Sequence, residues 1–162
     1  MSEQELTQLA QQVTVALNEN SLRMATVESC TGGGIARLMT DLAGSSTVFE
    51  CGFVTYSNES KQRMVGVKPS TLDAVGAVSE AVASEMASGA LSRANAGITV
   101  SVTGVAGPSG GSVAKPVGTV CFGWAYKEAV TTETCYFEGD RIAIRQQTVG
   151  HALQGVLNLL VK

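Results

Sequence analysis

The 162 residues, 16.7 kDa, are enough for one domain with a substantial buried core. A net charge of −3 at pH 7, a pI near 5.1 and no basic run argue against a nucleic acid or an anionic membrane as partner. The acidic start Met1-Ser2-Glu3-Gln4-Glu5 and the lack of a long apolar stretch point to a cytoplasmic protein with no membrane span. Four cysteines without a C-x-x-C pair, and one histidine, suggest neither a disulfide frame nor a zinc site.

Residues 3 to 19 place Leu6, Leu9, Ala10, Val13 and Leu17 on one helical face, so the chain opens with an amphipathic helix. Residues 23 to 28 read as a strand that breaks off at Ser29-Cys30-Thr31-Gly32-Gly33-Gly34; helical spacing resumes at Ile35 and ends near Gly44. A polar connector leads to a strand over residues 48 to 56, rich in aromatic and β-branched residues. Cap residues Ser57 and Asn58 then start a short helix that stops at Gly66 and carries Lys61 in or just after its first turn. A short helical piece over residues 71 to 75 precedes a longer helix from Ser79 to Ala94, whose small-residue face is Ala83, Met86, Ala87 and Leu91.

Residues 97 to 102 have the nearly continuous apolar character of a strand buried on both faces, and a flexible glycine-rich loop, 103 to 112, follows. Strands over 117 to 126 and 130 to 137 form a hairpin. A closing helix from Asp140 places Ile142, Val149, Leu153, Val156, Leu157 and Leu160 on one face. The pattern predicts a single α/β domain over residues 1–162, a three-layer sandwich over a mixed sheet with an antiparallel hairpin.

Ser29 lies between a strand and a helix, where free N–H groups of the helix's first turn can bind a phosphate or a developing oxyanion. Taken alone, the turn is more simply read as a helix cap made by Ser29 or Thr31, with the glycines making a tight turn. Charge placement adds to it. Lys61, Arg141 and Arg145 all stand near helix N-termini, where a cation is disfavoured by about 0.3–1 kcal/mol. That field and any burial favour a neutral Lys61 amine, able to take a serine proton. The single His151 sits among apolar neighbours in the last helix, so a Ser–Lys pair is the remaining way to activate Ser29, with Tyr56 placed to orient or relay the proton. The plainer reading of Lys61 is a solvated surface lysine. Arg141 and Arg145 share a helix face and repel unless an anion, or Glu138 or Asp140, lies near them. Cys30 is a rival nucleophile, since a helix N-terminus lowers a thiol's pKa.

Glu28-Ser29-Cys30-Thr31-Gly32-Gly33, Tyr56-Ser57-Asn58-Glu59-Ser60-Lys61, Thr103-Gly104-Val105-Ala106-Gly107-Pro108, Lys115-Pro116-Val117-Gly118-Thr119-Val120 and Gly139-Asp140-Arg141 with Arg145 occur in this order. In these motifs the chain closely resembles the nicotinamide-nucleotide amidohydrolase family, the stand-alone form of the CinA C-terminal domain, along essentially its whole length. The resemblance implies hydrolysis of nicotinamide mononucleotide to nicotinate mononucleotide and ammonia in pyridine-nucleotide salvage, by a homodimer without metal or other cofactor. It implies Ser29 as nucleophile, Lys61 as general base and Tyr56 beside them. Substrate would be met by Thr31, Gly32, Gly33, the loop carrying Thr103, Gly104 and Gly107, and the Arg141/Arg145 face. Activities of the larger members' additional N-terminal domain are not implied. Two other readings stay open: a non-catalytic nucleotide-binding module of this fold, and an amidase for another small carboxamide.

Overall fold

A computed structural model describes residues 1–161. Among them five strands form one sheet: β1 (Met24–Glu28), β2 (Phe49–Val54), β3 (Ile98–Gly104), β4 (Thr119–Tyr126) and β5 (Ala129–Tyr136), in the order β2-β1-β3-β4-β5. β1 runs parallel to β2 and β3, whereas β3, β4 and β5 alternate in direction, so the sheet is mixed and carries the expected hairpin. The chain turns from β4 to β5 through Lys127 and Glu128, both at positive φ, as a tight hairpin turn requires.

Helices α1 (Glu3–Glu19), α2 (Gly34–Thr40) and α6 (Arg141–Leu160) cover one face, and α3 (Asn58–Val65), α4 (Pro69–Val75) and α5 (Glu80–Arg93) lie on the other. Period-two alternation divides β1 between the layers. Met24 joins the α1/α2/α6 core, and Val27 joins Val65, Val82 and Met86. On the α5 side the small face of Ala83 and Ala87 lets the helix come close. Thr99 and Ser101 of β3 donate hydroxyl hydrogen bonds to the Ala87 and Ala83 carbonyls, at 2.7 and 2.6 Å. These bonds satisfy hydroxyls that the strand buries completely. On the opposite side the Trp124 indole N–H donates to the Ala152 carbonyl at 3.0 Å. The ring fits because residue 155 is glycine: a Cβ there would stand 2.2 Å from it.

The structure departs from the sequence-based boundaries in a few places. β3 continues through Thr103 and Gly104, which pair with Cys121 and Val120, so the glycine-rich loop starts later than expected. α2 stops at Thr40, and a 3₁₀ turn, Ser45–Thr47, occupies part of the polar connector. α4 begins at Pro69, whose missing N–H costs nothing in a first turn. Ile142 is not on the buried face of α6: it is 65% exposed. Of the four cysteines, Cys30 and Cys121 are buried, whereas Cys51 and Cys135 are half-buried. No helix among the described residues is long and apolar enough to cross a membrane.

Candidate active site

β1 is flanked by parallel neighbours on both sides, and the chain leaves it first toward β2 and then crosses back to β3. Such a reversal opens a crevice at the carboxyl ends of the strands. Ser29, the first residue beyond β1, is fixed there: its N–H donates to the Val102 carbonyl of β3 at 3.0 Å, while the Thr55 N–H beyond β2 donates to the Glu28 carbonyl at 2.8 Å.

Lys61 enters the crevice from the opposite layer. The Ser57 hydroxyl accepts from the Ser60 N–H at 3.1 Å and starts α3, so Lys61 falls one turn in and projects back toward the strand ends. Its Nζ lies 2.9 Å from Ser29 Oγ and donates to the carbonyls of Thr55, at 2.9 Å, and Tyr56, at 3.3 Å. Lys61 is only 1% exposed and Ser29 8%. The solvated-lysine reading therefore does not hold. Desolvation lowers the amine's pKa below the ordinary lysine value of 10.5, and among the described residues no carboxylate pairs with it to oppose the shift.

The turn after Ser29 is built differently from the sequence-based picture. Gly32 and Gly33 take positive φ, +59° and +100°, which lets the chain double back into α2. Neither Ser29 nor Thr31 caps that helix. Glu28, fully buried at the end of β1, accepts from the N–H groups of Ile35 at 2.8 Å and Ala36 at 3.0 Å and from the Thr31 hydroxyl at 2.7 Å. A protein carboxylate thus takes the helix's positive end, which is not free for a ligand. Gly32 and Gly34 also donate within the turn, to the Ser29 and Thr31 carbonyls. Among the described residues this leaves the amides of Cys30, Thr31 and Gly33 without a carbonyl partner. Sequence reasoning missed Glu28. Its signal was an acidic residue ending an otherwise apolar strand, six residues before a helix start. Glu28→Gln turns an N–H donor toward Ile35 or Ala36, and the expected loss is about 1–3 kcal/mol in urea unfolding.

Cys30 has the surroundings of a core thiol. It is 7% exposed, and burial, reinforced by the Glu28 charge, pushes its pKa up to about 12, the reverse of the lowering expected at a helix N-terminus.

Among the described residues the two arginines reach the site without an acidic partner. Arg145 donates from Nε to the Cys30 carbonyl at 3.1 Å and from Nη2 to the Thr31 carbonyl at 3.0 Å, clamping the turn from the α6 side. Arg141, more exposed, donates to the Gly107 carbonyl at 2.7 Å and to the Tyr56 hydroxyl at 3.3 Å. Tyr56 therefore meets Lys61 through its main-chain carbonyl, while its phenol, on a side chain 62% exposed, meets Arg141. Gly107 borders the site through that carbonyl, whereas Thr103 is buried and donates to the Ala77 carbonyl at 2.9 Å, and Gly104 packs against β4. A cavity of about 400 Å³ lies between α1, α2 and α6; it is lined by Thr31 and Arg145 but by neither Ser29 nor Lys61.

The sequence matches the family described as CinA C-terminal domain over residues 6–160. The chain belongs to that family. It is 53% identical to the nicotinamide-nucleotide amidohydrolase PncC of Escherichia coli K12 across 95% of this chain and 94% of that protein. It is 48% identical to the protein of the same name from Pseudomonas putida, across 95% and 96%. The crystal structure of a competence/damage inducible protein, CihA, from Agrobacterium tumefaciens matches with a TM-score of 0.93 and 42% identity, covering 98% of this chain and 96% of that one. The CinA C-terminal fold is thus the frame that holds Ser29, Lys61, Glu28 and the two arginines together.

Proposed function

We propose that this CinA-family chain hydrolyses the carboxamide of nicotinamide mononucleotide to nicotinate mononucleotide and ammonia, as a step in pyridine-nucleotide salvage, with Ser29 as nucleophile and Lys61 as its base. The observation that carries the reading is the 2.9 Å approach of the buried Lys61 amine to the Ser29 hydroxyl, in a site without an imidazole. The names of the full-length relatives supply the substrate.

A neutral amine has two N–H bonds and one lone pair. With the N–H groups on the Thr55 and Tyr56 carbonyls, the lone pair is left for the Ser29 proton. Lys61 takes that proton as Ser29 Oγ attacks the carboxamide carbon. The negative oxygen is met by the Thr31 and Gly33 amides, which Glu28 and Arg145 hold in place from either side of the turn. Protonated Lys61 then passes its proton to the departing nitrogen and ammonia leaves. Water, deprotonated by the same amine, hydrolyses the acyl ester and frees Ser29. Arg141, exposed and bound by one carbonyl and one phenol, is the guanidinium that turns toward the substrate phosphate, and Tyr56 sets its direction.

Ammonia release measured with nicotinamide mononucleotide and with free nicotinamide tests this. Turnover of the mononucleotide, with free nicotinamide a far poorer substrate, is expected. Saturable binding without ammonia favours the non-catalytic module, and equal turnover of both compounds favours an amidase of other specificity.

A further inference from the structure

Away from the Ser29 turn, α6 and the edge strand β5 bring three different donor atoms to one point. Glu133 and Cys135 are two residues apart on β5 and so project from the same face of the strand. His151 lies six residues beyond Arg145 on α6, about 9 Å further along the helix. Its ring is held by aromatic neighbours, with centroids 4.7 Å from Phe122, 6.0 Å from Phe137 and 6.1 Å from Trp124. That packing aims Nε2 at the strand: it lies 2.8 Å from Glu133 Oε2 and 3.4 Å from Cys135 Sγ, and all three donor atoms lie within 4.8 Å of one another.

One ring nitrogen carries at most one proton and can satisfy only one of these partners at a time. A metal ion satisfies all three. With bonds of about 2.0–2.3 Å to nitrogen, oxygen and sulfur, a tetrahedral Zn²⁺ sets its ligand atoms about 3–4 Å apart, the spacing seen around Nε2. The mixed nitrogen, sulfur and oxygen set suits Zn²⁺ and is foreign to Mg²⁺ or Ca²⁺, which take oxygen.

We propose that Glu133, Cys135 and His151 form a Zn²⁺ site that ties the edge strand β5 to α6, its fourth position taken by water. It is independent of the Ser29 chemistry and departs from the metal-free expectation drawn from sequence. Cysteine spacing gave no hint of it, because the ligands come from two elements 16 and 18 residues apart and the strand pair is Glu-x-Cys.

The test is titration of the chelator-treated full-length protein with Zn²⁺ against a competing indicator, and with Co²⁺ read by absorption. One equivalent of Zn²⁺ bound at micromolar free metal is expected, with a thiolate-to-cobalt charge-transfer band for Co²⁺. Cys135→Ser should abolish the band and weaken Zn²⁺ binding by at least about tenfold, and Glu133→Gln should weaken it by about tenfold. Cys51→Ser, a control for the other half-buried thiol, should change neither. His151→Gln should match Cys135→Ser. Because His151 is packed in an aromatic cluster, the two strand variants carry the test if that protein does not fold. No binding at micromolar Zn²⁺, or binding by Cys135→Ser and Glu133→Gln equal to wild type, overturns the site.

Discussion

Lys61→Met is expected to lower kcat/KM for nicotinamide mononucleotide by about 10²–10⁴-fold, the usual worth of a positioned general base. The chain should still fold, since methionine keeps an unbranched stem in the same buried channel, as circular dichroism would verify. Lys61→Arg separates basicity from charge. A guanidinium stays protonated at any accessible pH, so this variant should be as slow as the methionine one if Lys61 works as a base, and should recover activity if only its positive charge matters. The pH profile follows from burial. Desolvation favours the neutral amine, so kcat/KM should climb with pH along a limb whose midpoint lies below 10.5. Stability should move the same way: between the lowered folded pKa and the ordinary unfolded one, the unfolded chain binds more protons, and raising pH through that window favours the fold. A profile without that limb, or a Lys61→Arg enzyme of wild-type rate, would remove Lys61 from the role of base.

Ser29→Ala should be at least as damaging, about 10³-fold or more, because no other group in the crevice replaces the nucleophile. Cys30→Ala is the paired control. The adjacent thiol is buried and held protonated with a pKa near 12, so its removal should leave the rate within a few-fold of wild type, apart from the cost of a small cavity. The reverse ranking, an active Ser29→Ala beside an inactive Cys30→Ala, would transfer the chemistry to the thiol. Both variants are to be compared by initial rates of ammonia release at saturating substrate.

What could be read from the sequence follows from which signals are local. β1 and β3 were visible because strands buried on both faces need uninterrupted apolar or small residues, and α1 because its buried face repeats with the helical period. Lys61 and the two arginines were visible as charges placed against helix dipoles, but the sequence could not say what compensates them. All three donate to main-chain carbonyls, of Thr55 and Tyr56, of Cys30 and Thr31, and of Gly107, and these carry no residue-type signature. Glu28 was hidden for a related reason. It caps α2 only because the Gly32–Gly33 turn folds the helix start back onto the strand end, a geometry that a one-dimensional pattern does not contain. The length of β3 and the strand order were fixed by β4, whose pairing residues come well after the loop.

Acid-quenching the enzyme at intervals during turnover of nicotinamide mononucleotide, and mapping the modified peptide by mass spectrometry, tests the Ser29–Lys61 pairing most directly. The expected result is a nicotinate mononucleotide ester on Ser29 that forms far more slowly in Lys61→Met. An adduct on Cys30, or an ester on Ser29 that forms at the same rate without the Lys61 amine, would contradict it.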